Sequence, residues 1–173
     1  MGRAHSPAQS VIACLRIGNS LSGFVFGATL LFVKKKNILF LCTGNSIRSQ
    51  MGEAFMRHFG GDRVNVYSAG VSPSGIHPLT VYMMEEEGID ISKHYSKGLK
   101  EIPVDDLDLV ITLCGNAREG CPVNVLQKPN EHWPINDPIS FSGSEAMRIG
   151  RFRETKEDVK GRVKDWLLRA DWT

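Results

Sequence analysis

A chain of 173 residues, 42% hydrophobic and 23% charged, has room for one well-filled core, and this balance excludes a mainly disordered chain, a collagen-like fibre and a long coiled coil. The net charge of +2 arises in residues 1 to 33, which carry Arg3 and Arg16 and no acid, so the remainder is neutral and offers no basic field for nucleic acid. Four cysteines are too few for a disulfide scaffold and read as catalytic, redox or core thiols in a reducing, cytoplasmic setting.

The chain divides into an extension, residues 1 to 33, and one domain, residues 34 to 173. Ile17 to Val33 is uncharged for 17 residues, the lower limit for crossing a bilayer, and Lys34, Lys35 and Lys36 follow it. Gly18, Asn19, Ser20, Ser22, Gly23 and Gly27 weaken it as a membrane helix, and no small-x-small cleavage site precedes the lysines. The expected reading is a disordered extension or one arising from a start upstream of the natural one, with a membrane segment as the alternative. Val33 can be encoded by GUG, and a domain opening on a strand begins just after it.

From there strands and helices alternate. Asn37 to Cys42 (NILFLC) suits a strand buried on both faces, and Gly44, Asn45 and Ser46 turn the chain into an amphipathic helix reaching about His58. Val64 to Ala69 is a second strand, His77 to Glu87 a second helix, and Leu107 to Leu113 a third strand. A fourth strand is expected to end near Asp137. Phe152, Val159, Val163, Trp166 and Leu167 mark one stripe of a final helix covering the sheet. The pattern predicts a three-layer α/β/α fold on a central four-stranded parallel sheet. Ligands in such folds bind beyond the carboxyl ends of the strands, where Cys42 and Cys114 are expected.

Between Cys42 and Arg48 lie Thr43, Gly44, Asn45, Ser46 and Ile47, a loop joining the first strand to the first helix. Inward-pointing amides of such a loop, with the positive end of the helix, can grip a tetrahedral oxyanion. The same field favours a thiolate at Cys42, while Arg48 can bridge two anion oxygens. Gly44 permits close approach and Asn45 tolerates the left-handed region. Ser46 and Ser49 can donate hydroxyl hydrogen bonds to the loop or the sulfur.

The stretch LCTGNSIRSQMGEAF, the later Ser68-Ala69-Gly70 and the pair Asp137-Pro138 closely resemble the low-molecular-weight tyrosine phosphatase superfamily, and within it the thioredoxin-coupled arsenate reductases. The resemblance covers nearly all of residues 36 to 170. It implies a catalytic set of Cys42, Arg48, Cys114, Cys121 and Asp137, with Asp137 as acid/base residue. It further implies that Thr43, Gly44, Asn45, Ser46, Ile47, Arg48 and Ser49 bind the oxyanion, arsenate, with phosphate or sulfate as mimics.

Cys114 and Cys121 decide between the relatives, because a phosphatase has no use for them and a thiol cascade does. A rigid helix over 114–121 would hold their Cα atoms roughly 10 Å apart, beyond disulfide reach, so the segment is expected to unwind, with Gly115, Gly120 and Pro122 absorbing the change. The implied order runs from a Cys42–arsenic adduct to a Cys42–Cys114 disulfide, then to a Cys114–Cys121 disulfide reduced by thioredoxin.

The alternatives are a phosphatase acting on phosphate monoesters and an oxyanion-binding protein without turnover. No metal or organic cofactor is implied: zinc on Cys114, Cys121 and His132 lacks a knuckle spacing and a fourth ligand. Cys14 has no assigned role, and a monomer is expected. Ile47 stands where relatives often have a second cysteine, and Gln50 and Ile139-Ser140 where phosphatases tend to have proline and an aromatic pair. Certain relatives bind potassium through residues matching Asn45, Glu53, Ser68 and an acid. The acid's place is taken by Lys97, whose ammonium is expected to replace the cation.

Overall fold

The computed structural model describes residues 16–17, 21–26 and 29–172, with side chains from 34 to 172. Ahead of the domain, β1 (Arg16–Ile17), β2 (Leu21–Phe26) and β3 (Thr29–Lys34) form a separate antiparallel sheet. The remainder of the extension, Cys14 included, lies outside the described residues. Among the described residues no helix is long and apolar enough to cross a membrane.

The domain runs β4 (Lys36–Cys42), α1 (Arg48–Gly60), β5 (Val64–Gly70), α2 (Pro78–Glu85), β6 (Leu109–Thr112), α3 (Gly115–Glu119), α4 (Val123–Leu126), β7 (Asn130–His132) and α5 (Glu145–Arg169). The sheet order is β5-β4-β6-β7, every pair parallel, as the alternating pattern predicts. Strand β4 is apolar on both faces because both are covered. Ile38, Phe40 and Cys42 join one core with α1, α2 and α5, while Leu39 and Leu41 join a second with Ala117, Cys121 and Val125. The five stripe residues of α5, from Phe152 to Leu167, are all buried in the first core. From β4 the chain proceeds to β5 on one side and later to β6 on the other. The loop after β4 therefore occupies a switch point, where an open parallel sheet leaves a crevice.

Boundaries differ from expectation by one to five residues, and the hydrogen bonds account for three of them. His77 caps α2 rather than joining it, its Nδ1 accepting the Leu79 N–H at 3.1 Å. Strand β6 begins at Leu109, since the Asp108 carboxylate accepts the Asn37 N–H instead of extending the strand. The fourth strand stops at His132, five residues before Asp137. Trp133 still donates to the Thr112 carbonyl of β6 and Ile135 to that of Leu113 just beyond it, but Pro134 between them has no N–H to give, and the regular ladder ends.

Candidate functional site

Donors from outside the 43–47 loop take up its carbonyls. Val71, Ser72 and Ser74 N–H groups donate to Cys42, Thr43 and Gly44 oxygens at 3.2, 2.9 and 3.0 Å. Ser46 O receives the His77 N–H at 3.2 Å and the Thr80 hydroxyl at 3.0 Å. With its oxygens so engaged, the loop is left to present amide hydrogens, and helix α1 begins behind it with no side-chain cap and no acid in its first turn. Asn45 is the only non-glycine residue with positive φ, at 45°, among the described residues, which bends the loop into a concave cradle. The loop rests on Gly70, where a Cβ would come within 2.8 Å of both Asn45 N and Thr43 O. Ser46 enters through its carbonyl, and Ile47 turns its side chain into the core.

The Cys42 sulfur lies at the floor, accepting the Asn45 N–H at 3.2 Å and 2.9 Å from Ser49 Oγ. Asn45 Nδ2 donates to Ser49 Oγ at 2.8 Å, so that oxygen is an acceptor there and its hydrogen is free to point at the sulfur. Negative charge on Cys42 thus meets two donors. Arg48, 6% exposed, spends one terminal nitrogen on Ile135 O at 3.0 Å and the other on Asp137 Oδ2 at 2.7 Å. Its Nε is the one buried side-chain nitrogen or oxygen without a partner among the described residues. A buried guanidinium N–H left unpaired is costly, and an oxyanion in the cradle supplies the missing acceptor. Asp137 is held at the same place, with Oδ1 accepting the Ile139 N–H at 3.2 Å.

The structure brings Cys114 to this cradle but not Cys121. Cys114 Sγ is 3.3 Å from Thr43 Oγ1 and half-buried, at the N-cap of α3. Cys121 lies past the far end of α3, 7% exposed in the opposite core, where burial pushes its thiol up from the ordinary value. The expected unwinding of 114–121 is not seen in this state, because residues 115–119 are helical with both cysteines reduced. Among the described residues no three metal-ligating side chains converge.

Beneath the loop, Ser68 donates to Glu53 Oε2 at 2.5 Å, and Lys97 Nζ lies 3.2 Å from that oxygen, 3.4 Å from Ser68 Oγ and 3.4 Å from Tyr95 O. The Lys97 ammonium thus occupies the place foreseen for it. Burial works to raise the Glu53 pKa, but the Ser68 hydrogen bond, the Lys97 and His94 charges and the Arg57 bond together hold it below the usual carboxylate range. Burial, with Lys97 and Arg57, lowers His94. Sequence reasoning missed Gln50 and His94 as members of this network and the Ile135 carbonyl as a partner of Arg48. Ile135 meets Arg48 across 87 residues and His94 meets Gln50 across 44, while Gln50, besides its local bonds to Asn45, reaches Tyr95 across 45, none of which leaves a local signal.

The profile of the family described as low molecular weight phosphotyrosine protein phosphatase matches residues 37–171. The arsenate reductase of Bacillus licheniformis is 42% identical over 132 residues, 76% of this chain and 95% of that protein. A solved arsenate reductase in the phosphate binding state superposes with a TM-score of 0.68 at 34% identity, covering 79% of this chain and 99% of the other. The thioredoxin-dependent arsenate reductase of Corynebacterium glutamicum gives a TM-score of 0.60 at 30% identity, over 76% of this chain and 59% of that one.

Proposed function

We propose, since this chain belongs to the low molecular weight phosphotyrosine protein phosphatase family and to its arsenate reductases, that it reduces arsenate to arsenite through three cysteines, with thioredoxin as the final reductant. The observation that carries this reading is the second thiol at the cradle's rim: Cys114 sits against Thr43 beside an oxyanion cradle that needs only Cys42, Arg48 and Asp137 for ester hydrolysis.

Cys42 thiolate attacks arsenic(V) held by the loop amides and Arg48. A sulfur–arsenic bond forms, and one oxygen leaves as water on a proton from Asp137. Cys114 thiolate then attacks the Cys42 sulfur. The sulfur–arsenic bond breaks with its electron pair passing to arsenic, which departs as arsenite, arsenic(III), and a Cys42–Cys114 disulfide remains. Cys121 attacks Cys114 and releases Cys42 as thiolate, and an external dithiol reduces the Cys114–Cys121 disulfide.

The last transfer requires α3 to rearrange, because Cys114 caps its N-terminal end beside the cradle while Cys121 lies past its C-terminal end in the other core. Gly115, which a Cβ would leave in open space, and Gly120 at the C-cap are the points that absorb the change. Free thiols of this kind require a reducing compartment, which supports a cytoplasmic location.

The test supplies arsenate with thioredoxin, thioredoxin reductase and NADPH to the wild type and to Cys42→Ser, Cys114→Ser and Cys121→Ser, with aryl phosphate hydrolysis in parallel. Every Ser variant loses multiple turnover, while slow ester hydrolysis needs Cys42 alone. Dominant ester hydrolysis with arsenate inert overturns the proposal in favour of a phosphatase, and silence in both assays in favour of an oxyanion binder.

A further inference from the structure

Gln50 is completely buried in the first turns of α1, and its side-chain amide spans the catalytic loop and the segment of His94 and Tyr95. Its Nε2 donates to Asn45 Oδ1 at 2.9 Å, Asn45 O at 3.2 Å and Tyr95 O at 3.0 Å, and its Oε1 lies 3.0 Å from His94 Nδ1. Three acceptors on one side fix which end of the Gln50 amide is nitrogen, so His94 is the donor to Oε1.

The consequence passes to Asn45. Its Oδ1 faces two donors, Gln50 Nε2 and the Lys97 N–H at 2.8 Å, while its Nδ2 faces the hydroxyls of Ser49 and Ser68. Rotating the Asn45 amide by half a turn would set its NH2 against both donors. With Nδ2 held toward Ser49, that hydroxyl accepts from Asn45 and has only the Cys42 sulfur to donate to. In the flipped amide, Ser49 would donate to Asn45 Oδ1 and the sulfur would lose a donor.

We infer that Gln50 is a positioning residue that sets the orientation of the Asn45 amide and thereby aims the Ser49 hydroxyl hydrogen at the Cys42 sulfur. Gln50 touches neither substrate nor sulfur; it acts through two intervening side chains. The inference rests on Cys42 being the nucleophile of the proposed function, but not on the identity of the oxyanion. Its effect is read on thiol reactivity without any turnover.

The experiment measures carbamidomethylation of Cys42 by iodoacetamide at pH 7 in the reduced full chain, quantified by peptide mapping so that other cysteines do not enter. Gln50→Glu keeps the shape but turns acceptors toward Asn45 O, Asn45 Oδ1 and Tyr95 O, and so drives the flip. Gln50→Met removes the donors without opposing the native orientation, which the Lys97 N–H still favours.

Gln50→Glu is expected to slow alkylation about tenfold, the size of one hydrogen bond to a charged group, and Gln50→Met about threefold. In a Ser49→Ala background Gln50→Glu is expected to add no further slowing, since the hydroxyl it misdirects is gone. Equal slowing by Glu and Met, or an undiminished effect of Gln50→Glu in Ser49→Ala, overturns the inference and leaves Gln50 a filler of the core. Circular dichroism melting identifies a variant that has failed to fold. If Gln50→Glu does, Gln50→Met alone and with Ser49→Ala gives the same cycle, and additive effects there overturn the inference equally.

Discussion

Replacing Gly70 by alanine places one methyl group against the backbone of the catalytic loop. The new Cβ meets Asn45 N and Thr43 O at 2.8 Å and Gly44 C at 2.9 Å, where ordinary contact begins at 3.4 Å, so the loop must withdraw by about 0.6 Å. It cannot do so freely. The Val71 and Ser72 N–H groups, next in the chain to Gly70, hold the Cys42 and Thr43 carbonyls, and the Asn45 N–H on the clashing side is the one donated to the Cys42 sulfur. Overpacking of this size costs about 1–3 kcal/mol, which lowers Tm by roughly 2–12 °C in a domain of this length. Catalytic groups tolerate only about 0.5 Å of displacement, so kcat/KM is expected to fall about a hundredfold, far more than stability alone explains. Calorimetric melting and steady-state arsenate reduction, with phosphate titration as a third readout, measure both effects on one preparation. A Gly70→Ala protein that melts lower yet keeps its kcat/KM would refute the reasoning, because the loop would then have relaxed without disturbing the cradle.

Arg48→Lys removes the unpartnered Nε and the forked contacts to Ile135 O and Asp137. Titration calorimetry should show phosphate binding about a hundredfold weaker, and near-native affinity would contradict the role given to the guanidinium. With Lys97 Nζ among Glu53, Ser68 and Tyr95 oxygens, activity should not change when sodium is exchanged for potassium at constant ionic strength. In Lys97→Ala the vacated oxygens should make potassium stimulatory. The depressed pKa of Glu53 gives stability that is complete above its unfolded value of about 4.3 and is lost as pH falls through its lower folded value. Melting curves from pH 7 to 3 should therefore drop steeply in the wild type and less in Glu53→Gln, and parallel curves would contradict this.

What the sequence disclosed was whatever a short stretch of chain decides by itself. NILFLC reads as a doubly buried strand because alternate residues serve two cores, and Cys42 to Arg48 reads as a cradle because the strand end, loop and helix start are consecutive. The end of the fourth strand was misplaced because apolar Trp133 and Ile135 continue the strand pattern while Pro134, lacking an N–H, ends the ladder. The segment between Cys114 and Cys121 was expected to unwind from the chemistry required of it, yet with both thiols free residues 115–119 are helical. The link from Gln50 to Tyr95 and His94 escaped notice because the significance of a buried amide lies in partners contributed by distant segments. Lys97 was foreseen only by matching it to relatives, since no local pattern announces an ammonium beneath a loop 50 residues earlier.

The relay of one oxidation through three sulfurs is tested most directly by a single turnover. Reduced protein is given one equivalent of arsenate without external reductant, quenched by acid and alkylation, and mapped as peptides, with arsenite assayed in the same sample. One Cys114–Cys121 disulfide per arsenite formed, with Cys42 recovered as a free thiol, is the predicted result. Arsenite released with Cys114 and Cys121 both alkylated as free thiols would contradict it.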